Sequence, residues 1–568
     1  MQFLLVQPKT TLAVRYDEDT LKIYQRSFRD NWELPALSDY GSPEVLNYGD
    51  MARRIARIHL FYKQLGIRRG DKIALLGKNS STWVICFMAT ITYGATIVPI
   101  LSDFNAHDAQ HIINHSDATL LFVNQSIWED LDFEELPKIK TVVSLDTRRV
   151  LAERAVDEEH SATRIERNLT RRFRRLYHGG FTRECVVYPD MQPDDTAIIN
   201  YTSGTTGFSK GVMLTYDNLA GNIGYGIRSR LHYEGSRALS FLPLAHAYGC
   251  AFDMLVPLAV GTHVTIFGKP PTPRLLLNAL AQVRPNLVIC VPLILEKIYR
   301  KQIVPMITRR AMRWALAIPY IDNAIYSKIR NKLVEAFGGN FEEVIIGGAP
   351  LNAEVEQFLY KIKFPFTVGY GMTECAPLIS HTPWRSFIPG SCGRTLPNME
   401  SKIISDDPKN KPGEICVRGQ DRMKGYYKAP DITEATIDTE GWLHTGDMGT
   451  ISDDGTIFIK GRYKTMILSA SGQNIYPEEI ESKLNNMPYV SESLVVERGK
   501  GLTAIVYPDY ERMDADGLDM SALIEVMERN RNDLNHLVAP YERVDHVQLI
   551  PHEFEKTPKK SIKRYLYT

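Results

Sequence analysis

The sequence has little cysteine and no excess of either charge. Only 7 of its 568 residues are cysteine (Cys86, Cys185, Cys250, Cys290, Cys375, Cys392 and Cys416). They are odd in number and scattered, and no two form a C-x-x-C pair. That excludes a disulfide framework and a structural zinc site of the usual spacing, and it predicts reduced thiols in a cytoplasmic setting. Lys plus Arg and Asp plus Glu are equal at 67 each, so no global field recruits nucleic acid or anionic lipid, and nucleic acid is not an expected partner. Glycine (38) and proline (31) are ordinary in number, which excludes collagen-like and largely disordered chains. The longest apolar run, 83–101, is interrupted by Thr90, Thr92, Gly94, Thr96 and Pro99. It is expected as a buried helix running into a strand, not as a membrane span. The opening MQFLLVQPKTTLAVRY has no basic n-region, and Gln7 and Pro8 break its apolar run, so it is not expected to act as a signal peptide.

What is present is a globular pattern. Residues 46–65 carry Ile55, Ile58, Phe61, Tyr62 and Leu65 on one helical side. Short continuous apolar runs follow at 72–76, 95–100, 120–123, 141–145, 263–267, 287–291 and 343–346. Helices alternating with such runs predict an α/β protein with parallel sheets. From about residue 400 the strands shorten and turns multiply, and after about 462 helix and strand patterns form a separate α+β unit. The expected organisation is a large N-terminal region of α/β sheets (1–461) with a smaller β-rich subdomain (about 400–461), followed by a small mobile C-terminal domain (462–568). Two stretches are locally basic: 164–175, with six arginines, and 297–313, where Lys297, Arg300, Lys301, Arg309, Arg310 and Arg313 alternate with apolar residues. Each reads either as a patch resting on an anionic membrane face or as a solvated helical face.

The densest chemical signal is Tyr201-Thr-Ser-Gly-Thr-Thr-Gly-Phe-Ser-Lys-Gly211, a loop leaving the apolar run 197–199. Its glycines let the backbone approach a ligand. The hydroxyls of Thr202, Ser203, Thr205 and Thr206, the backbone at Gly204 and Gly207, and Lys210 can surround phosphate oxygens. It is not a G-x-x-x-x-G-K-[ST] loop, because no Ser or Thr follows Lys210.

This segment resembles the phosphate-binding signature of adenylate-forming (AMP-binding) enzymes, a group that includes acyl-CoA synthetases, luciferases and peptide-synthetase adenylation domains. Further segments resemble that family in its order. The resemblance puts His246, in Phe241-Leu-Pro-Leu-Ala-His-Ala-Tyr-Gly249, near the carboxylate end of an acyl pocket. It lays the turn at Gly348, Ala349 and Pro350 against adenine. In Val368-Gly-Tyr-Gly-Met-Thr-Glu374 it implies that Tyr370 stacks on adenine beside Gly371 and Met372 and that Thr373 meets the α-phosphate. Glu374 would hold Mg²⁺, with Thr202 as a second oxygen. Asp447 would take the ribose hydroxyls, Arg462 would bind ribose or phosphate, and Gly472 would let the pantetheine arm of coenzyme A pass. Lys560, His246 and Thr205 are assigned to the catalytic step.

Three positions depart from the family pattern. Thr465 replaces a charged hinge residue and Leu468 a frequent lysine. In Lys556-Thr-Pro-Lys-Lys-Ser-Ile-Lys-Arg564, Ser561 aligns with the terminal lysine that drives adenylation. Lys560 is the substitute assigned here, with Lys559 beside it. The function the resemblance implies is activation of a medium-to-long-chain fatty acid by ATP to acyl-AMP, then transfer to coenzyme A. The extra helical stretch 297–337 is most like the long-chain branch. Two alternatives stand: transfer to a carrier protein, and a non-catalytic nucleotide- or lipid-binding homologue. A peripheral position on the inner membrane face and a homodimer remain open.

Overall fold

The computed structural model describes residues 14–154, 161–202, 209–269, 272–316, 318, 321–468, 473–499, 501–557 and 562–568. It is a mixed α/β protein whose largest sheet has eight strands. The inner five, Thr141–Ser144, Leu120–Val123, Lys72–Leu76, Thr96–Ile100 and Thr196–Thr202, run parallel. Val150–Glu153 closes one edge antiparallel, while Lys210–Thr215 and Gly425–Tyr426 close the other.

The continuous apolar runs have a simple cause. Ile73 and Leu75 feed one hydrophobic cluster, and Ala74 and Leu76 feed another on the opposite face. A strand buried on both sides cannot alternate with polar residues. The run at 83–101 behaves as expected. Helix Ser81–Tyr93 is almost wholly buried, Gly94 ends it at φ +89°, and strand Thr96–Ile100 follows. No helix among the described residues is long and apolar enough to cross a membrane. Helix Tyr48–Leu65 starts on a reciprocal Asn47–Asp50 cap and stops at Gly66, φ +73°.

Parallel strands Arg237–Ser240, His263–Ile266 and Pro35–Asp39 form a second sheet, and Leu287–Cys290, Glu343–Ile346 and Phe366–Val368 a third. Asn286 links the two by donating its N–H to the Arg237 carbonyl, 2.8 Å, and accepting the Arg237 N–H on its side chain. The antiparallel sheet Met399–Ile404, Gly413–Gly419, Leu443–Ile451, Ile457–Arg462 accounts for the change of texture near residue 400.

After the hairpin Ile467–Leu468/Asn474–Ile475, strands Val490–Arg498, Gly501–Pro508 and Val544–Leu549 pack against helices Pro477–Leu484 and Met520–Leu537. This C-terminal lobe has its own hydrophobic clusters, built around Leu484, Val506 and Leu523 and around Leu494 and Phe554.

Strands Thr196–Thr202 and Lys210–Thr215 pair antiparallel, with Thr202 opposite Lys210. One feature differs from the sequence reading. The stretch 297–337 is broken by a π-helical turn at Tyr299–Ile303 and resumes as Val304–Ile307, Arg310–Leu316 and Ile321–Ala336. Pro305 falls in the first turn of Val304–Ile307, where its missing N–H is tolerated.

Candidate active site

Ser203, Gly204, Thr205, Thr206, Gly207, Gly472 and Lys560 lie outside the described residues, as do Lys559 and Ser561. What the structure shows is the frame around them. At the hairpin stem the Lys210 ammonium sits 5.0 Å from the centre of the Tyr426 ring. On the other side, the Tyr426 hydroxyl donates to Glu374 Oε1 at 2.9 Å. Tyr426 reaches this place because Gly425–Tyr426 pairs with Val212 and Met213 of the returning strand, and the Met423 N–H donates to the Glu374 carbonyl at 2.8 Å. Thr202, Lys210, Tyr426 and Glu374 thus form one cluster where strands Thr196–Thr202 and Lys210–Thr215 meet. Burial, then the Glu374 charge, raises the Tyr426 hydroxyl well above the ordinary tyrosine range, so it stays a hydrogen-bond donor. The sequence reading passed over Tyr426, and its signal was the Gly-Tyr pair at 425–426.

The segment 370–378 is pinned into a tight turn. The Met372 N–H donates to the Pro377 carbonyl at 2.9 Å, and Asn222 holds the turn from both ends, accepting from Leu378 N–H and donating to the Cys375 carbonyl. A Cβ on Gly371 would stand 2.1 Å from the Pro377 oxygen, so only glycine fits. Thr373 and Glu374 are buried here, while Gly371 is exposed and Met372 half-buried.

The Tyr370 hydroxyl donates to Asp447 Oδ2 at 2.7 Å, and Arg462 Nε lies 3.2 Å from Asp447 Oδ1. Asp447 and Arg462 are cross-strand partners, although fifteen positions separate them in the chain. Burial raises the Asp447 carboxyl above its usual range, opposed by Arg462 and the Tyr370 hydroxyl. Each carboxylate oxygen has further lone-pair capacity, so this oriented group can still accept hydroxyls. Glu414 steadies the strand that carries it. Its carboxylate accepts from Gly446 N–H at 3.1 Å and lies 2.8 Å from His444 Nδ1.

The turn after strand Glu343–Ile346 exposes Gly348, Ala349 and Pro350, with Gly348 at φ +86°. Tyr248 ties it to the His246 loop, because its hydroxyl donates to the Ile345 carbonyl at 3.1 Å and its ring lies where a Cβ on Gly347 would go. His246 is half-buried, and its Nδ1 accepts from the Tyr248 N–H at 3.3 Å. Asn200 donates to the Ala245 carbonyl, fixing the loop against the main sheet. Beyond His246 the chain enters a π-helical turn, Cys250–Leu255, a geometry common at functional sites. Between that turn and the hairpin, lined by Ile198, Asn200, Leu214, Ala247 and Ala251, is a cavity of only about 10 Å³, room for about one water.

Thr465 is also tied down: its hydroxyl donates to Glu478 Oε1 at 2.6 Å, in the first turn of helix Pro477–Leu484. In the C-terminal lobe, Arg564 forks onto the Glu481 carboxylate, 2.5 Å to Oε1, and Lys556 pairs with Glu492 at 2.7 Å. Lys556 and Ile562 are bridged antiparallel.

The AMP-binding enzyme family matches residues 24–427. A Rattus norvegicus long-chain-fatty-acid–CoA ligase is 27% identical over 511 residues, which is 82% of this chain but only 66% of the rat protein, just under two thirds. A Narcissus pseudonarcissus 4-coumarate–CoA ligase is 28% identical over 502 residues, 85% of this chain and 82% of that protein. ATP-bound MatB from Rhodopseudomonas palustris has the same fold, with TM-score 0.74, 23% identity, and coverage of 96% of this chain and 98% of that one. With the family matched over well more than half of its length, this chain belongs to the AMP-binding enzymes.

Proposed function

We propose that the protein is an AMP-forming acid–CoA ligase whose acid is a medium-to-long-chain fatty acid. The observation that carries the reading is the convergence of Lys210, Tyr426 and Glu374 where strands Thr196–Thr202 and Lys210–Thr215 meet, beside the Tyr370–Asp447–Arg462 chain. Together they make a cationic and hydroxyl-rich end for phosphates and an acceptor end for a ribose.

A free carboxylate resists a thiol because oxide is a very poor leaving group. In the first step a carboxylate oxygen attacks the α-phosphorus of ATP, the bond to pyrophosphate breaks, and acyl-AMP forms. Lys210 and the loop donors offset charge that builds on the phosphate. Lys560 would supply the positive charge at the reacting carboxylate. In the second step the coenzyme A sulfur attacks the acyl carbonyl, the thiol proton is lost, and AMP leaves. The C-terminal lobe would turn about residues 462–465 between the steps, exchanging the Lys560 loop for that of Gly472.

Glu374 fits a hard cation. It is a buried carboxylate at the phosphate end with one oxygen engaged by Tyr426, and the Thr202 hydroxyl stands at the same stem. These two would hold Mg²⁺, which when bound neutralises phosphate charge.

The acyl assignment draws support from the rat relative. The Narcissus relative supports an aryl acid as the competing substrate.

The test is mass spectrometry of products formed from Mg-ATP and a mixture of C8–C18 fatty acids and 4-coumarate, with and without coenzyme A. Fatty acyl-CoA is the expected product. Coumaroyl-CoA alone would overturn the substrate class, acyl-AMP without thioester would point to a carrier protein, and no product from folded, ATP-binding protein would make the loss of lysine at Ser561 decisive.

A further inference from the structure

The buried cysteines have different surroundings. Cys86, Cys250, Cys290 and Cys375 belong to the central hydrophobic cluster. Cys416 is equally buried, yet its sulfur lies 3.6 Å from His444 Nδ1, and the same nitrogen lies 2.8 Å from Glu414 Oε2. Among the described residues, these three side chains form a group whose ligand atoms all lie within 4.8 Å of one another.

Strand register produces the group. Cys416 and His444 are direct cross-strand partners, and Glu414 sits two residues before Cys416. Between the Glu414–Met448 and Cys416–His444 pairs, residues 445–447 stand opposite Ile415 alone. This bulge, with Gly446 at φ +71°, wraps the chain around the Glu414 carboxylate. One Glu414 oxygen accepts the Gly446 N–H at 3.1 Å, and the other faces His444 and Cys416.

We propose that Cys416, His444 and Glu414 form a binding site for a divalent cation of the zinc class. Thiolate, imidazole and carboxylate together suit zinc and not a hard cation such as Mg²⁺. A tetrahedral zinc holds its sulfur and nitrogen ligands about 3.5 Å apart, which the Cys416–His444 pair matches at 3.6 Å. The Glu414 oxygen must withdraw from the ring by about 0.5 Å to leave room for the ion, while its other oxygen keeps the Gly446 N–H. Cys416 forms the floor, and the side chains of Glu414 and His444, 24% and 32% exposed, leave a path from solvent.

The surroundings support the ligands. With the ion on Nδ1, the ring proton sits on Nε2, which lies 3.8 Å from Asp438 Oδ2. Metal-bound histidines commonly have such a carboxylate behind them. Asp438 is held in place by accepting the Glu440 and Trp442 N–H groups on its other oxygen. Lys402, the cross-strand partner of Cys416 on its other side, rests its ammonium over the Trp442 ring at 4.3 Å. Burial, then the Glu414 charge, raises the Cys416 thiol to about 12, opposed by Lys402. The thiol therefore keeps its proton until a cation arrives. Coordination then removes it, and the proton passes to solvent.

The test uses the reduced, chelator-treated full chain with Co²⁺ alone and then Zn²⁺ alone, without ATP or Mg²⁺. Co²⁺ is expected to give a thiolate-to-metal charge-transfer band that saturates at one equivalent, and Zn²⁺ to bleach it. Zinc X-ray absorption of the unaltered protein should show a single sulfur neighbour at about 2.3 Å. Cys416→Ser should lose the cobalt band and weaken Zn²⁺ binding more than about 100-fold, and Asp438→Asn should weaken it about 10-fold. A metal-free melting curve checks that each variant is folded.

No charge-transfer band in the unaltered protein, a band that survives in folded Cys416→Ser, or zinc with no sulfur neighbour or with several would each overturn the proposal. The absorption measurement needs no variant, so it decides the matter even if Cys416→Ser does not fold. None of these readouts depends on catalysis, so their failure leaves the ligase reading standing.

Discussion

At the scale of single residues, the site is a set of groups whose freedom has already been removed. Gly371 is the clearest case. The Pro377 oxygen fills the space a side chain would need, so Gly371→Ala must push the Tyr370 and Glu374 ends of the turn apart. We expect a loss of about 1–3 kcal/mol in stability, read as a lower melting temperature, together with loss of ATP binding in a nucleotide titration.

Asp447 gives a pH-dependent prediction. Its burial lifts the carboxyl, while the hydroxyls of a ribose need the ionised form as acceptor. ATP affinity should therefore fall as pH drops through that raised value, at a higher pH than for an ordinary aspartate near about 3.9. Asp447→Asn should bind ATP about 10–100-fold more weakly at neutral pH, each hydrogen bond to a charged group counting about 1.5–3 kcal/mol. It should also lack the acid limb in a binding-versus-pH series.

Among elements, the terminal segment is anchored on both sides of residues 558–561. The Lys556–Ile562 bridge and the Arg564–Glu481 fork hold both sides of the stretch that contains Lys560. Arg564→Ala leaves the Glu481 carboxyl buried without its cation, a change that costs about 3–5 kcal/mol. If Lys560 serves adenylation, this variant should slow acyl-AMP formation while still converting preformed acyl-AMP and coenzyme A to thioester. Rapid-quench measurement of each half-reaction separates the two, and equal slowing of both would remove Lys560 from the step.

The elements also show how far pattern reading reached. Strands Lys72–Leu76, Leu120–Val123 and Glu343–Ile346 are where their residues predicted, because each is a short, strongly patterned run bounded by turn residues. Strand Val544–Leu549 was missed. Its exposed Asp545, His546 and Gln548 hide the alternation that pairs it with Gly501–Pro508.

For the whole molecule, three histidines contribute to the acid response. His232 and His381 are buried and His59 is half-buried, and desolvation lowers each to about 4. The unfolded chain takes up protons on them near about 6.5 while the folded chain resists, so stability is complete above that pH and is lost as pH falls toward 4. At pH 5 the loss is of the order of 2 kcal/mol for each histidine, from the difference between the folded value and the unfolded one of about 6.5. Urea melts between pH 7 and 5 should show the decline, and His381→Asn should reduce it by about one third if the three contribute alike.

The sequence by itself determined the α/β class, the AMP-binding family and the absence of a disulfide or charge-driven architecture. Those properties live in local composition and in motifs read along the chain. Only the tertiary structure decided that Lys210 and Glu374 face each other across Tyr426, that Asp447 and Arg462 are neighbours, and that one basic stretch is partly used between lobes, where Arg300 donates to the Asn485 carbonyl. These depend on strand register and helix rotation, which are fixed by packing between residues tens to hundreds of positions apart.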